Sequence, residues 1–236
     1  MPVSKDAYTV KSIIKMSDPK SMLIRIEPAD LHITLREIYV SISDLCWISK
    51  LPHVSRAFVT SIQSRSQKTV ARIEEDLKLN PDSSLASSAG EYVVSELAHS
   101  TIVNDLNYLD IPLPELFKEK IKGNPGFDFY SVNPDTEILL FGEAKYKAKV
   151  NAYDAAFEQI DRFVVNGKDI DELASLEHFC SETTQEKVVD GIKGYIAAFS
   201  STSMSDEVLV AHIEKDEHYK KLLQYDEVVC VAVNLS

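Results

Sequence analysis

The stretch 126–145 constrains the fold of this chain more than any other part of its sequence. Phe127 to Val132 is aromatic and β-prone, Asn133 to Asp135 has the chemistry of a turn, and Ile138 to Phe141 is a short apolar run. An apolar run of this length beside turn residues is typical of a buried strand. The stretch therefore predicts a β-hairpin in the protein core.

Charged residues follow directly after the second predicted strand, which ends in Gly142-Glu-Ala-Lys145. Side chains alternate between the two faces of a strand, so Glu143 and Lys145 should point to one face and Ala144 to the other. The hairpin turn brings Asp128 back beside them. We therefore expect two carboxylates and one amine to meet at the end of an apolar hairpin.

This set of groups suits the hydrolysis of phosphate esters. Carboxylate oxygens of Asp128 and Glu143 can hold a hard divalent cation, with water and a substrate phosphate as its remaining ligands. Such a metal polarises a phosphoryl oxygen and lowers the pKa of bound water, and Lys145 can orient that water or offset developing charge. The alternative is a solvated strand face, which is the commoner setting for a Glu-x-Lys pair.

The pattern of Asp128 followed by Glu143-Ala-Lys145 resembles the signature of the PD-(D/E)xK nuclease superfamily. One departure is Phe127, which stands where that signature has proline. The resemblance covers about residues 88–167. It implies an α/β fold with a restriction-endonuclease-like αβββαβ core, in which helices flank a central mixed sheet. It also implies a deoxyribonuclease that hydrolyses phosphodiester bonds with Mg²⁺ or Mn²⁺.

Glu91 is the candidate for a third acidic residue. A helix is predicted to start at Ser87 or Ser88, either of which can serve as its N-cap, and Glu91 falls in its first turn. A glutamate at this position commonly just complements the helix dipole. The resemblance instead implies that Glu91 joins Asp128 and Glu143 as a catalytic residue and metal ligand, whereas Glu96 falls further round the helix.

The helix predicted after the lysine strand contributes one further candidate, Gln159. Apolar residues from Tyr153 to Val164 recur at helical spacing, and Gly167 suits the end of that helix. Several branches of the superfamily carry Gln-x-x-x-Tyr here, and Gln159 with Phe163 is similar. The resemblance implies a catalytic role for Gln159. An exposed glutamine on the edge of a helix is the alternative.

Several lysines lie near these residues in the sequence. Residues 115–122 alternate as a first strand of the sheet would, with lysines on one side, and further lysines follow Lys145. They form either a solvated face or a rim that binds the phosphate backbone of a nucleic acid. The candidates for nucleic-acid binding are Lys118, Lys120, Lys122, Lys147 and Lys149.

The remaining sequence divides at the break Asn80-Pro-Asp. Residues 1–80 are interpreted as an N-terminal extension packed on the core, with a strand at Met22–Ile26 and a helix over 54–79. Residues 81–236 form the predicted nuclease domain. Beyond residue 168 we predict helices at 169–180, 185–199 and 214–223, and parallel strands at 208–213 and 228–233.

Composition and charge bear on location and partners. The apolar runs are too short to span a bilayer, the N-terminus lacks a signal-peptide core, and three scattered cysteines favour a reducing cytoplasm. The net charge of −12 argues against autonomous binding to a phosphate backbone.

An acidic nuclease is expected to need a partner that delivers DNA. Within the superfamily, the helix at Glu91 and the strand that ends in Lys145 are most similar to the small nuclease subunits of bacterial anti-phage defence systems of the Hachiman type, which work with a helicase. This resemblance implies a helicase or other ATP-driven subunit as partner. The alternative function is a non-catalytic scaffolding or nucleic-acid-binding subunit that retained the nuclease fold.

Overall fold

A computed structural model describes residues 2–52, 54–77, 87–118 and 126–235. Within these ranges, seven strands form one mixed sheet in the order β1-β2-β7-β6-β5-β4-β3. The strands are β1 (Tyr8–Lys15), β2 (Ser21–Pro28), β3 (Leu109–Asp110), β4 (Phe129–Asn133), β5 (Ile138–Lys145), β6 (Gly194–Ser201) and β7 (Glu227–Asn234). The predicted hairpin at 126–145 is confirmed as the antiparallel pair of β4 and β5.

The centre of the sheet is parallel and its two ends are antiparallel. Strands β2, β7, β6 and β5 pair in parallel, whereas β1 pairs with β2, β3 with β4, and β4 with β5 in antiparallel fashion. Every residue of β6 is buried, as expected of a strand covered on both faces. The predicted α/β class is therefore confirmed, with a mixed sheet flanked by helices.

Helices cover both faces of the sheet. The helices are α1 (Leu31–Ser43), α2 (Arg56–Leu77), α3 (Ser87–Asp105), α4 (Pro114–Phe117), α5 (Tyr153–Val165), α6 (Lys168–Asp171), α7 (Leu173–Leu176), α8 (Glu182–Val189), α9 (Asp206–Ile213) and α10 (Glu217–Leu222). Side chains from α1 to α4 share a core with one face. Side chains from α5 and α7 to α10 share a second core with the other face.

Strand β5 contributes alternate side chains to these two cores. Leu140 and Ala144 belong to the core under α1 to α4, whereas Leu139 and Phe141 belong to the core under α5. Continued alternation directs Glu143 and Lys145 toward the α5 side of the sheet, at the C-terminal end of β5. The spacing predicted from the sequence therefore holds along the whole strand.

The N-terminal residues take part in the central sheet. Strand β2 pairs in parallel with β7, with Ser21 opposite Val228, and β1 forms the outer strand beyond it. The strand predicted at Met22–Ile26 and the helix predicted over 54–79 are thus observed as β2 and α2, the latter as far as Leu77. The predicted domain boundary at residue 80 lies outside the described residues.

Two predictions near the C-terminus are wrong. The helix predicted over 185–199 ends at Val189, and β6 begins at Gly194. The strand predicted at 208–213 is helix α9, whose N-cap Ser205 accepts a hydrogen bond from the Val208 N–H. A fully buried strand carries no alternation of polar and apolar residues, so periodicity alone does not distinguish β6 from a helix.

The predicted first strand over 115–122 is also wrong where the structure describes it. Pro114 begins the short helix α4, since proline favours the first turn of a helix. The first strand of this part of the sheet is instead β3, which precedes that segment at Leu109–Asp110. Residues 119–125, including Lys120 and Lys122, lie outside the described residues. Among the described helices, none combines the length and apolar character that a membrane crossing requires.

Gly142 tests the close packing of the hairpin, because a Cβ at this position would overlap the ring of Phe129. We expect Gly142→Ala to lower the free energy of unfolding by about 1–3 kcal/mol, measured by urea denaturation, since over-packed cores must shift to relieve the overlap. Adding Phe129→Leu should recover part of this loss. Strict additivity of the two single changes would contradict the contact.

Candidate functional site

The register of the β4–β5 hairpin brings Asp128 and Glu143 together. Phe129 pairs with Gly142 across the two antiparallel strands. Asp128 directly precedes Phe129 and Glu143 directly follows Gly142, so the two acidic residues are neighbours across the hairpin. The Asp128 N–H donates to the Gly142 carbonyl oxygen at 2.8 Å, and Asp128 Oδ2 accepts from the Ala144 N–H at 2.8 Å. These two bonds fix the Asp128 carboxylate against the end of β5.

Glu143 is almost fully buried, with 3% of its surface exposed. Its Oε1 accepts a hydrogen bond from Lys145 Nζ, but its buried Oε2 has no hydrogen-bond partner. A buried carboxylate oxygen without a partner is costly and is therefore a place to look for an unseen ligand. This oxygen fits a cation as its missing partner.

Lys145 lies between the buried carboxylate and solvent. Its Nζ donates to Glu143 and to the Ala144 carbonyl oxygen at 3.1 Å, and 24% of its side chain is exposed. Burial alone would lower the pKa of Lys145, but the charges of Glu143 and Asp128 raise it. The lysine is therefore held as a cation that a substrate can reach from solvent.

Glu91 lies on helix α3, near the same cluster. The helix approaches β5 closely because Gly90 has no side chain, and a Cβ at that position would overlap the ring of Tyr146. Glu91 is then near enough for its charge to help raise the pKa values of Asp128 and Glu143. The structure thus brings Asp128, Glu143 and Lys145 together, with Glu91 near enough to act on them through its charge, and the roles predicted for these residues stay predictions.

Glu96 belongs to a different place in the molecule. It lies further along α3, where it is buried and lines a cavity beside Asp110. The distinction that the sequence drew between Glu91 and Glu96 therefore agrees with their placement.

The carboxylates repel one another when no cation is present. Burial, opposed by the charge of Lys145, raises the pKa of Asp128 to about 6. Burial and then the charge of Asp128 raise the pKa of Glu143 well above its usual range. Shifts of this kind, from desolvation plus a specific charged neighbour, are concentrated at functional sites.

The arrangement is suited to a metal that retains much of its own hydration. Among the described residues, no three His, Cys, Asp or Glu side chains form a complete metal-binding group. Magnesium commonly uses only one or two carboxylates and fills its other positions with water and substrate phosphate. The Asp128 and Glu143 carboxylates, with the unpartnered Oε2, fit that mode of binding.

Gln159 makes its described contact within its own helix. It lies on α5, and its Oε1 accepts a hydrogen bond from Arg162. Among the described side chains, no hydrogen bond joins Gln159 to Asp128, Glu143 or Lys145. The catalytic role implied for Gln159 therefore stays a prediction.

The described lysines of the predicted nucleic-acid rim differ in availability. Lys118 is largely buried and forms a salt bridge with Glu172 at 2.8 Å. Strand β5 ends at Lys145, so Lys147 and Lys149 lie on the loop that follows rather than on the strand. Lys147 pairs with Asp154 at 3.1 Å, and Lys149 is exposed. Lys149 is therefore the best placed of the three to meet a phosphate.

One part of the site was not predicted from the sequence. Glu172, between α6 and α7, accepts hydrogen bonds from Tyr130 and Lys118 beneath the start of the hairpin. Gly126 lies directly against its carboxylate, where a Cβ would overlap Oε1. This buried network holds the segment that leads to Asp128, and it is formed by residues far apart in the sequence.

No protein-family model matches this sequence, and no curated protein matches it significantly. The candidate site is accordingly defined by its own geometry. Its parts are the paired carboxylates of Asp128 and Glu143, the ammonium of Lys145 and the nearby charge of Glu91.

Asp128→Asn tests the electrostatics of the ion-free site. The raised pKa of Asp128 means that the folded chain loses stability as the pH rises from about 4, the unfolded value, through about 6. In chelator at pH 7.5, the free energy of unfolding of the asparagine variant should therefore exceed that of the unmodified chain by on the order of 2 kcal/mol. Near pH 4 the two free energies should be equal. Asp154→Asn, at an exposed position, is the control. An unchanged difference across this pH range would contradict the assignment.

Proposed function

We propose that this chain is a metal-dependent nuclease that hydrolyses phosphodiester bonds in DNA. The observation that carries the proposal is the unpartnered, buried Oε2 of Glu143, beside Asp128 and the ammonium of Lys145. The succession of α3, β3, the β4–β5 hairpin and α5 also supports a restriction-endonuclease-like core. The resemblance of these residues to the PD-(D/E)xK signature is in keeping with both.

The residues have separate roles in this proposal. Asp128 and Glu143 hold Mg²⁺ or Mn²⁺, and Glu91 adds negative charge to the site, either as a direct ligand or through water. When bound, the metal supplies Lewis acidity toward the phosphate and lowers the pKa of a water molecule. Lys145 supplies a fixed cation, which can orient the attacking water or offset the charge that develops on the phosphate.

DNA delivery is proposed to depend on a partner. The net charge of −12 opposes the approach of a polyanion, and Lys118 and Lys147 are already paired with acidic side chains. A helicase or other ATP-driven subunit with its own basic channel would overcome this repulsion. We propose that the chain works as the nuclease subunit of such a complex, in anti-phage defence.

A second candidate function is a non-catalytic subunit that retains a nuclease fold. It is favoured by the lack of a complete three-ligand metal group among the described residues. The two candidates differ in one requirement, because a scaffold has no need of a bound divalent cation.

Removal of the lysine cation should separate catalysis from metal binding. We expect Lys145→Met to retain Mg²⁺ binding while losing about 100-fold or more in the rate of DNA cleavage, since its ammonium acts in the transition state. Cleavage is measured on linear, circular and single-stranded DNA, with RNA for comparison. Lys220→Met, at an exposed position on α10, is the matched control. Wild-type cleavage by Lys145→Met would contradict the assigned site.

Glu91 should matter more than other acidic residues on the flanking helices. We expect Glu91→Gln to reduce cleavage at least tenfold at limiting Mg²⁺, because the site then loses one of its three carboxylates. Glu158→Gln, at an exposed position on α5, serves as the control in the same assay. Equal and small effects of the two changes would reduce Glu91 to a residue that complements the helix dipole.

The net charge of −12 predicts weak DNA binding by the isolated chain at physiological salt. Fluorescence anisotropy should show a large gain in affinity when the proposed ATP-driven partner is added. Tight, salt-resistant binding by the chain alone, without any co-purifying protein, would refute the need for a partner.

A further inference from the structure

Positive charge is concentrated on helix α2 and on the segment that precedes it. Residues 45–73 contain five Lys or Arg residues and no Asp or Glu, although the whole chain carries 37 acidic and 25 basic residues. Acidic residues return only at Glu74, near the C-terminal end of the helix. This part of the surface therefore attracts anions locally, in contrast to the chain as a whole.

One face of α2 carries most of this charge. Arg65, Lys68 and Arg72 follow one another at intervals of three and four residues, which places them on the same face of the helix. Phe58 lies seven residues before Arg65 and is therefore on that face as well. We call these four residues the α2 stripe. The stripe is about 21 Å long, since each helical residue adds about 1.5 Å along the axis.

The α2 stripe is accessible to solvent at both ends and in its middle. Phe58 is 38% exposed, and its ring meets the His178 ring edge to face at a centroid distance of 5.4 Å. Lys68 is exposed, and its ammonium has no hydrogen-bond or ion-pair partner among the described residues. The Arg72 side chain is 44% exposed and forms an ion pair with Glu115. An available ammonium thus lies between a half-exposed guanidinium and an exposed aromatic ring.

Helix α2 is held firmly against the short helix α4. Three side chains of α2 donate hydrogen bonds to three successive carbonyl oxygens of α4: Arg65 to Phe117 at 2.9 Å, Ser66 to Leu116 at 2.8 Å and Thr69 to Glu115 at 3.2 Å. These bonds fix the position of the α2 stripe relative to the elements that follow. Because the Arg65 guanidinium is engaged in them, Arg65 contributes charge to the stripe while Lys68 is available for a direct contact.

The C-terminal end of the α2 stripe lies beside the candidate nuclease site. Arg72 Nη2 donates a hydrogen bond at 3.3 Å to the hydroxyl oxygen of Tyr92, the residue that follows Glu91 on α3. The Glu115 carboxylate that pairs with Arg72 is also close to the site. Burial is the main cause of the raised pKa of Asp128, and the charge of Glu115 adds to it. The stripe therefore runs from Phe58 at its far end toward the candidate site at Arg72.

We propose, on the basis of the nuclease function proposed above, that the α2 stripe binds a single-stranded nucleic acid and leads it to the candidate site. Lys68 and Arg72 contact the phosphate backbone, and the Phe58 ring stacks on a base at the far end. Stacking on a side chain requires a base that is not enclosed in a duplex, which favours a single strand. So few phosphate contacts give weak binding, and the stripe sets the path of a strand that the partner delivers.

The charge of Lys68 is tested by the binding of an oligothymidylate to the full chain, measured by fluorescence anisotropy at several salt concentrations in chelator, where no cleavage occurs. Lys68→Met should weaken binding at least about threefold and reduce the slope of log K against log salt by about 0.7, as expected for one phosphate contact with a single strand. Arg56→Met is the matched control, because Arg56 is exposed on the opposite face of the same helix. It should leave the slope unchanged.

The stacking role of Phe58 is tested in the same assay. Phe58→Ala should weaken binding at least about fivefold, as expected when one base loses its stacking partner. Val165→Ala, at an exposed apolar position on α5, is the control. An oligonucleotide that contains bromodeoxyuridine should also crosslink under ultraviolet light to the tryptic peptide 57–65, which includes Phe58. Crosslinking reports the position of the strand even where binding is weak.

Several results would overturn the proposal. They are unchanged binding by either Lys68→Met or Phe58→Ala, equal losses in Lys68→Met and Arg56→Met, no crosslink to the peptide 57–65, or a preference for duplex over single strands. Equal binding of polyglutamate would instead identify an acidic protein as the occupant. A chain that binds along α2 but never cleaves with Mg²⁺ refutes the nuclease function and keeps the stripe. A chain that cleaves while Lys68→Met binds normally refutes the stripe alone.

Discussion

The site depends on the placement of two like-charged carboxylates side by side in a buried hairpin. The pairing of Phe129 with Gly142 sets this placement. The Ala144 N–H donates a hydrogen bond to Asp128 and the Lys145 ammonium donates one to Glu143, and both offset the negative charge. The compensation is incomplete, since Glu143 Oε2 has no partner and the pKa values of both carboxyl groups are raised. An ion-free chain therefore carries an electrostatic cost, which a bound cation would relieve. The proposed nuclease activity gives this cost a function, because the cation that would relieve it is the metal that the proposed reaction requires.

Close backbone approaches hold the surrounding elements in place. Gly90 lets α3 pack on Tyr146 and so brings Glu91 to the end of β5, while Gly126 packs on the carboxylate of Glu172. Both glycines provide space that any side chain would fill. Through these contacts, helix α3 and the junction between α6 and α7 support the hairpin that carries Asp128 and Glu143.

The sequence predicted the hairpin and the joint position of Glu143 and Lys145, because strand alternation and turn chemistry are local signals. It did not predict β6 and α9 correctly. The central strand β6 is apolar on both faces, and the valines of α9 favour a strand until the cap at Ser205 is recognised. The Glu172 network also escaped prediction, since it depends on tertiary contacts between residues far apart in the chain. Local patterns thus located the charged residues, whereas the packing that holds them had to come from the structure.

The most direct test of this account is a crystal structure of the chain grown with Mn²⁺, with anomalous diffraction used to locate the ion. We predict an anomalous peak between the Asp128 and Glu143 carboxylates, within coordinating distance of Glu143 Oε2, and its loss in Glu143→Gln. A fully ordered site with no peak at saturating Mn²⁺, or a peak that persists in Glu143→Gln, would contradict it.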